Sequence, residues 1–91
     1  MPSELEKLKI VMDVYKEHGP ECAVIARSYS QEARNGIHKI ITILDSDDEL
    51  ENLIAKMKEL QEGTPAGIAA EMERYKLECL EKFGRLHSYH A

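Results

Sequence analysis

Apolar residues recur along most of the chain in steps of three and four, the period of an α-helix. Leu5, Leu8, Met12 and Tyr15 make one stripe. Leu50, Leu53, Ile54, Met57 and Leu60 make another, and Ile68, Met72, Tyr75, Cys79, Phe83, Leu86 and His90 a third. Helix starts and stops separate them. Ser3-Glu4-Leu5-Glu6 has the capping-box form, in which serine and glutamate satisfy free amides at a helix start. Gly19-Pro20 ends that helix, and the proline suits the first turn of the next. Ser46 and Glu49 repeat the capping-box spacing within Asp45-Ser46-Asp47-Asp48-Glu49, where acidic residues also favour a helix start. Gly63-Thr64-Pro65 reads as a stop, a cap and a first helical position. The pattern predicts four helices, at about 3–18, 20–44, 47–62 and 65–89.

The second of these needs arbitration. Asn35-Gly36 is a turn signal, and residues 37–44 are rich in isoleucine, as strands are. At about 100° per residue, however, Cys22, Ala26, Tyr29, Ala33, Ile37, Ile40 and Leu44 stay on one stripe straight across Gly36. One long helix, with Gly36 as the place for a kink, is the preferred reading. A strand completed by another subunit is the alternative.

Ninety-one residues allow one domain, 1–91. With 43% hydrophobic and 32% charged residues, the composition excludes a disordered or collagen-like chain. The fold class is therefore all-α: a four-helix bundle, or a helical hairpin whose long helices intertwine with a second copy. So short a chain gains little from its own core. Several apolar residues also miss the stripes. Ile10 and Val14 lie together well away from the Leu5–Leu8–Met12 face, and Val24, Ile41 and Leu77 lie off theirs. A second apolar face on a helix marks burial on two sides. These five are the candidate interface residues, and a homo-oligomer, a dimer first, or another protein partner is expected.

Catalytic and metal-binding patterns are sparse. A di-iron bundle needs Glu-x-x-His, and no histidine here has glutamate three positions before it. His87 and His90, three apart, and His18 with Cys22 at the first interhelix turn are the candidate metal ligands. Their alternative roles are favourable charge at a helix C-terminus and a core thiol. Ser28, Ser30 and His38 could align along a helix, but nothing local activates the serines. Tyr29 and Tyr75 lie on core stripes and read as structural. The acidic run fails as a calcium loop, because Leu50 and Lys56 stand where glycine and glutamate are required. Gly63-Thr64-Pro65-Ala66-Gly67 lacks the lysine and spacing of a phosphate loop. No cofactor is expected, and an enzyme is the weakest reading.

Twelve Lys and Arg against seventeen Asp and Glu leave a formal charge of −5, which argues against nucleic-acid binding. No apolar run is long enough to span a bilayer. The Met1-Pro2-Ser3-Glu4 start lacks the form of a signal peptide. Cys22 and Cys79, outside any CxxC motif, read as reduced thiols in the cytoplasm. The sequence thus predicts a small acidic helical protein acting through protein–protein association, as a regulator, inhibitor, adaptor or small subunit. The alternative is a metal- or small-ligand-binding bundle using His, Cys and Tyr side chains at a subunit junction.

Overall fold

Ser3 opens the first helix as its spacing predicts. Its hydroxyl accepts the Glu6 amide at 3.2 Å, and α1 runs Glu4–Glu17. A computed structural model describes residues 3–90, so both ends of the expected 1–91 domain lie outside the described residues. Gly19 and Pro20 start α2, Gly19–Ala26. The remaining helices are α3, Gln31–Leu44; α4, Leu50–Glu62; α5, Ala66–Lys82; and α6, Leu86–His90. Among the described residues there are six helices and no strand. Residues 37–44 are therefore helical.

The long second helix is in fact two. Residues 27–30 break it, and Gly36 lies within the uninterrupted span of α3. Three interactions hold the break. The Ser30 hydroxyl accepts the Ala33 amide at 3.2 Å, capping α3. Glu71 on α5 accepts the Ser30 amide at 2.9 Å and the Ser30 hydroxyl at 2.7 Å. Arg34 Nε also donates to the Tyr29 carbonyl at 3.2 Å. The last predicted helix also divides. Gly84 adopts φ +70°, the Arg85 amide reaches the Leu80 carbonyl at 2.8 Å, and the Gly84 amide reaches Glu81 at 3.2 Å. That pair of bonds is a Schellman stop, which glycine makes without steric cost.

Two predicted caps do different work. Ser46 does not begin a helix; its hydroxyl donates to the Ile43 carbonyl at 2.8 Å. Asp48 instead receives the Glu49 amide, Asn52 and Lys56, each within 2.9 Å, just ahead of α4. Those donors, Lys56 first, hold its carboxyl at about 2. Thr64 likewise turns back, donating to the Leu60 carbonyl at 2.6 Å, and Pro65 occupies the cap of α5.

The chain folds inward on α5, which packs against α1, α2, α3 and α6. The radius of gyration is 12.5 Å, close to the ~12 Å of a compact chain of this length. The extended, intertwined hairpin is thereby replaced by a compact helical globule. Its interior holds Val11, Val14, Tyr15, Cys22, Ala26, Ala33, Ile37, Met72, Tyr75, Cys79 and Leu80. Met72, Tyr75 and Cys79 follow the predicted stripe of the last helix. Leu80, fully enclosed, lies beside that stripe, and burying such a side chain contributes about 1.5–3 kcal/mol.

The inward face of α1 lies about a quarter turn from the predicted one. Val11, Val14 and Tyr15 are buried, whereas Leu5, Leu8 and Met12 are half-buried. Helix α1 meets α2, α3, α5 and α6 together, so burial spreads around it instead of following one seam. Val14, expected to point away from the core, is 1% exposed and belongs to it.

Candidate functional site

The sequence-derived candidates scatter over the molecule. Ile10, Ile41 and Leu77 are half-buried, and Ile10 and Ile41 pack against the core. Val24 stands 54% exposed on α2. His18 stacks face to face on Phe83, with ring centroids 4.0 Å apart, and its Nδ1 lies 3.3 Å from Glu21. Cys22 is interior. His87 and His90 are exposed on α6, where the His90 ring meets Tyr89 edge-on. Among the described residues no group of three or more His, Cys, Asp and Glu is placed to hold a metal ion.

Tyr15, Tyr29 and Tyr75 gather with the two cysteines at the core. Tyr15 and Tyr75 meet edge to face at 5.8 Å, and Tyr29 stacks on Tyr75 at 5.2 Å. Every hydroxyl of the three has a partner. Tyr15 donates to Cys79 Sγ at 3.7 Å, Tyr75 to the Cys22 carbonyl at 2.8 Å and Tyr29 to Glu78 at 2.8 Å. Burial pushes the Tyr15 hydroxyl far up, and Tyr75 and Cys79 each up to about 12. Burial also raises the Cys22 thiol. Both thiols are thus protonated at neutral pH. The thiolate is the reactive form, so this cluster is structural chemistry with no ready nucleophile.

Two hollows flank that core. The first, about 470 Å³, lies where α2 faces α3; Cys22, Ala26, Arg34, His38 and Tyr75 border it. The second, about 450 Å³, lies beneath α4 and is more apolar. Leu8 and Val11 of α1, Ile37 and Ile40 of α3, Met57 of α4 and Met72 of α5 line it. The rim is polar. Lys7 and Lys76 come from different helices to the ring of Tyr89, 5.4 and 5.1 Å from its centroid, within cation–π range. Burial opposes charge on Lys76, whose side chain is 15% exposed. Its 2.7 Å pair with Glu73 and its contact with Tyr89 more than offset that, and its pKa rises.

Helix α4 covers this hollow without burying any residue of its own. Leu53, Met57 and Leu60 turn partly inward, while Leu50 and Ile54 remain 43% and 52% exposed. The sequence stripe of α4 is therefore correct in period but only half used by the fold. Reading the sequence did not single out Lys7, Lys76 or Tyr89. A signal was present for the lysines: Lys7 precedes Val11 by four residues and Lys76 follows Met72 by four, so each shares a face with a buried side chain. Nothing in the local sequence ties either to Tyr89.

No helix among the described residues is long and apolar enough to cross a membrane. Comparison with known proteins finds no matching family model, no matching curated protein and no matching solved structure.

Proposed function

We infer that this protein works by association, as a small regulatory or subunit protein, and that the partner is a second copy of the chain paired through α4. The observation that carries the reading is that α4, an amphipathic helix, buries none of its residues and leaves Leu50 and Ile54 exposed. Apolar side chains one helical turn apart make a continuous strip, the form of surface that helix pairing covers. Charge supports self-pairing. Glu51 and Lys58 lie on one flank of the Leu50–Ile54 strip, seven residues or two turns apart. An antiparallel copy centred near Ile54 brings each Glu51 beside the other's Lys58. A reducing compartment such as the cytosol fits this reading, since Cys22 and Cys79 are free thiols in the core.

Light scattering and sedimentation from about 1 μM to 1 mM test it, spanning the range of weak to moderate affinity. The expected result is a concentration-dependent dimer that Leu50→Glu with Ile54→Glu converts to a monomer of unchanged helicity. A monomer throughout the range overturns the reading, as does a dimer that survives both substitutions.

A further inference from the structure

We propose that the hollow beneath α4 binds a single-chain anionic amphiphile, an alkyl carboxylate whose chain lies along Val11, Ile37 and Met72 and whose head group sits between Lys7 and Lys76. The volume, about 450 Å³, falls within the ~300–1,000 Å³ of small-molecule sites. Its position suits an alkyl chain. Four helices converge there with aliphatic and thioether side chains, and methionine adapts to irregular flexible ligands.

The rim selects the head group. Lys7, Lys58 and Lys76 border the hollow against Glu4 and Glu73, leaving one net positive charge there on a chain of net charge −5. Two of those ammonium groups approach one ring, Tyr89, from α1 and α5. Each retains donors, because an ammonium has three. Glu73 engages Lys76 at 2.7 Å, while Glu4 stands 3.8 Å from Lys7, too far for a short hydrogen bond. A carboxylate at this rim would complete the set with charge-assisted bonds, which are about twice as strong as neutral ones. A neutral alcohol of equal length would bury the same chain without them. The hollow shares Ile54 and Lys58 with the proposed α4 pairing, but Leu50 and Glu51 lie outside it, so Leu50→Glu alone should weaken pairing while leaving the lining of the hollow intact.

The test titrates the full chain with decanoate and, separately, decanol, following binding by calorimetry and by the melting temperature. Saturable one-to-one binding of decanoate is expected, with decanol at least about tenfold weaker. Lys7→Gln with Lys76→Gln should erase that preference. Ala69→Phe, which fills the hollow from α5, should abolish binding of both. Lys7→Gln alone, a change at the rim, should reduce the preference even if the double variant folds poorly. The proposal is overturned by absent or unsaturable decanoate binding, by equal affinity for acid and alcohol, or by binding that persists in a folded Ala69→Phe protein.

Discussion

The carboxylate of Glu71 holds both polar groups of Ser30, accepting the backbone amide at 2.9 Å and the side-chain hydroxyl at 2.7 Å across 41 residues of chain. The same hydroxyl accepts the Ala33 amide, so one serine ends the break after α2, starts α3 and ties both to α5. Ser30→Ala removes the cap and half of the tie. The expected loss is about 1–2 kcal/mol, read from chemical denaturation at neutral pH.

The same contact gives an acid-side signature. The Ser30 hydroxyl, and then its amide, hold the Glu71 carboxyl below the usual range. A depressed carboxyl stabilises the fold above its unfolded-state pKa, and that stability is lost as pH falls through the folded-state value. Stability should therefore fall on acidification below the ordinary glutamate range. Glu71→Gln should flatten that fall while lowering stability at pH 7. Denaturation midpoints measured from pH 7 to acid in both proteins check this.

Gly36 and Met72 form a second long-range pair. A Cβ at Gly36 would meet the Met72 side chain, its Cε at 2.7 Å. Glycine here serves close approach of α3 to α5. Gly36→Ala gains up to about 1 kcal/mol of helix propensity but must push the thioether aside. The two effects should nearly cancel. In a Met72→Ala background, itself destabilised by about 2–5 kcal/mol, the added methyl has room and should stabilise. A double-mutant cycle should give a coupling of about 0.5 kcal/mol or more; additive effects would show that the contact does not limit the site.

Val14 and Val24 separate core from surface among the apolar residues that miss the stripes. Val14 is 1% exposed and Val24 54%. Val14→Glu would bury an unpaired carboxylate and should cost on the order of 4 kcal/mol or more, enough to unfold so small a domain. Val24→Glu should change stability by no more than about 0.5 kcal/mol. Circular-dichroism melts of the two variants give the comparison directly.

The alkaline limb should report the cysteine–tyrosine core. Burial, the largest cause, lifts Cys79 from 9.0 to about 12 and Tyr75 from 10.0 to about 12. A raised acid stabilises the fold fully below its unfolded pKa, and that contribution is lost as pH rises toward the folded value. Stability should thus decline between about pH 9 and about pH 12. Cys79→Ala should lower stability at pH 7 yet make this decline shallower, because one of the buried acids is gone.

How much of this was legible in the sequence depends on how far each signal reaches along the chain. The Ser3 cap and the helix start at Gly19-Pro20 are decided within four residues, and both stand where the sequence places them. The Ser46 and Thr64 caps looked equally local. They differ because neighbours competed: Asp48 takes the amide ahead of α4, and both hydroxyls turn back to carbonyls of the preceding turn. The stop at Gly84 was visible as a glycine, but the unbroken apolar stripe from Cys79 to Leu86 masked it.

Local hydrogen bonding and the 3.6-residue period settled, from the sequence alone, that this chain is helical and where most helices begin. Those are properties of neighbours, and they need no knowledge of the rest of the molecule. Tertiary structure decided what distant residues do to one another. It divided the second helix through Glu71, turned α1 to bury Val14, and brought Lys7 and Lys76 to the ring of Tyr89. Each outcome depends on which helices meet and at what distance. Periodicity names a greasy face, but only packing determines which neighbour covers it, and on α4 none fully does.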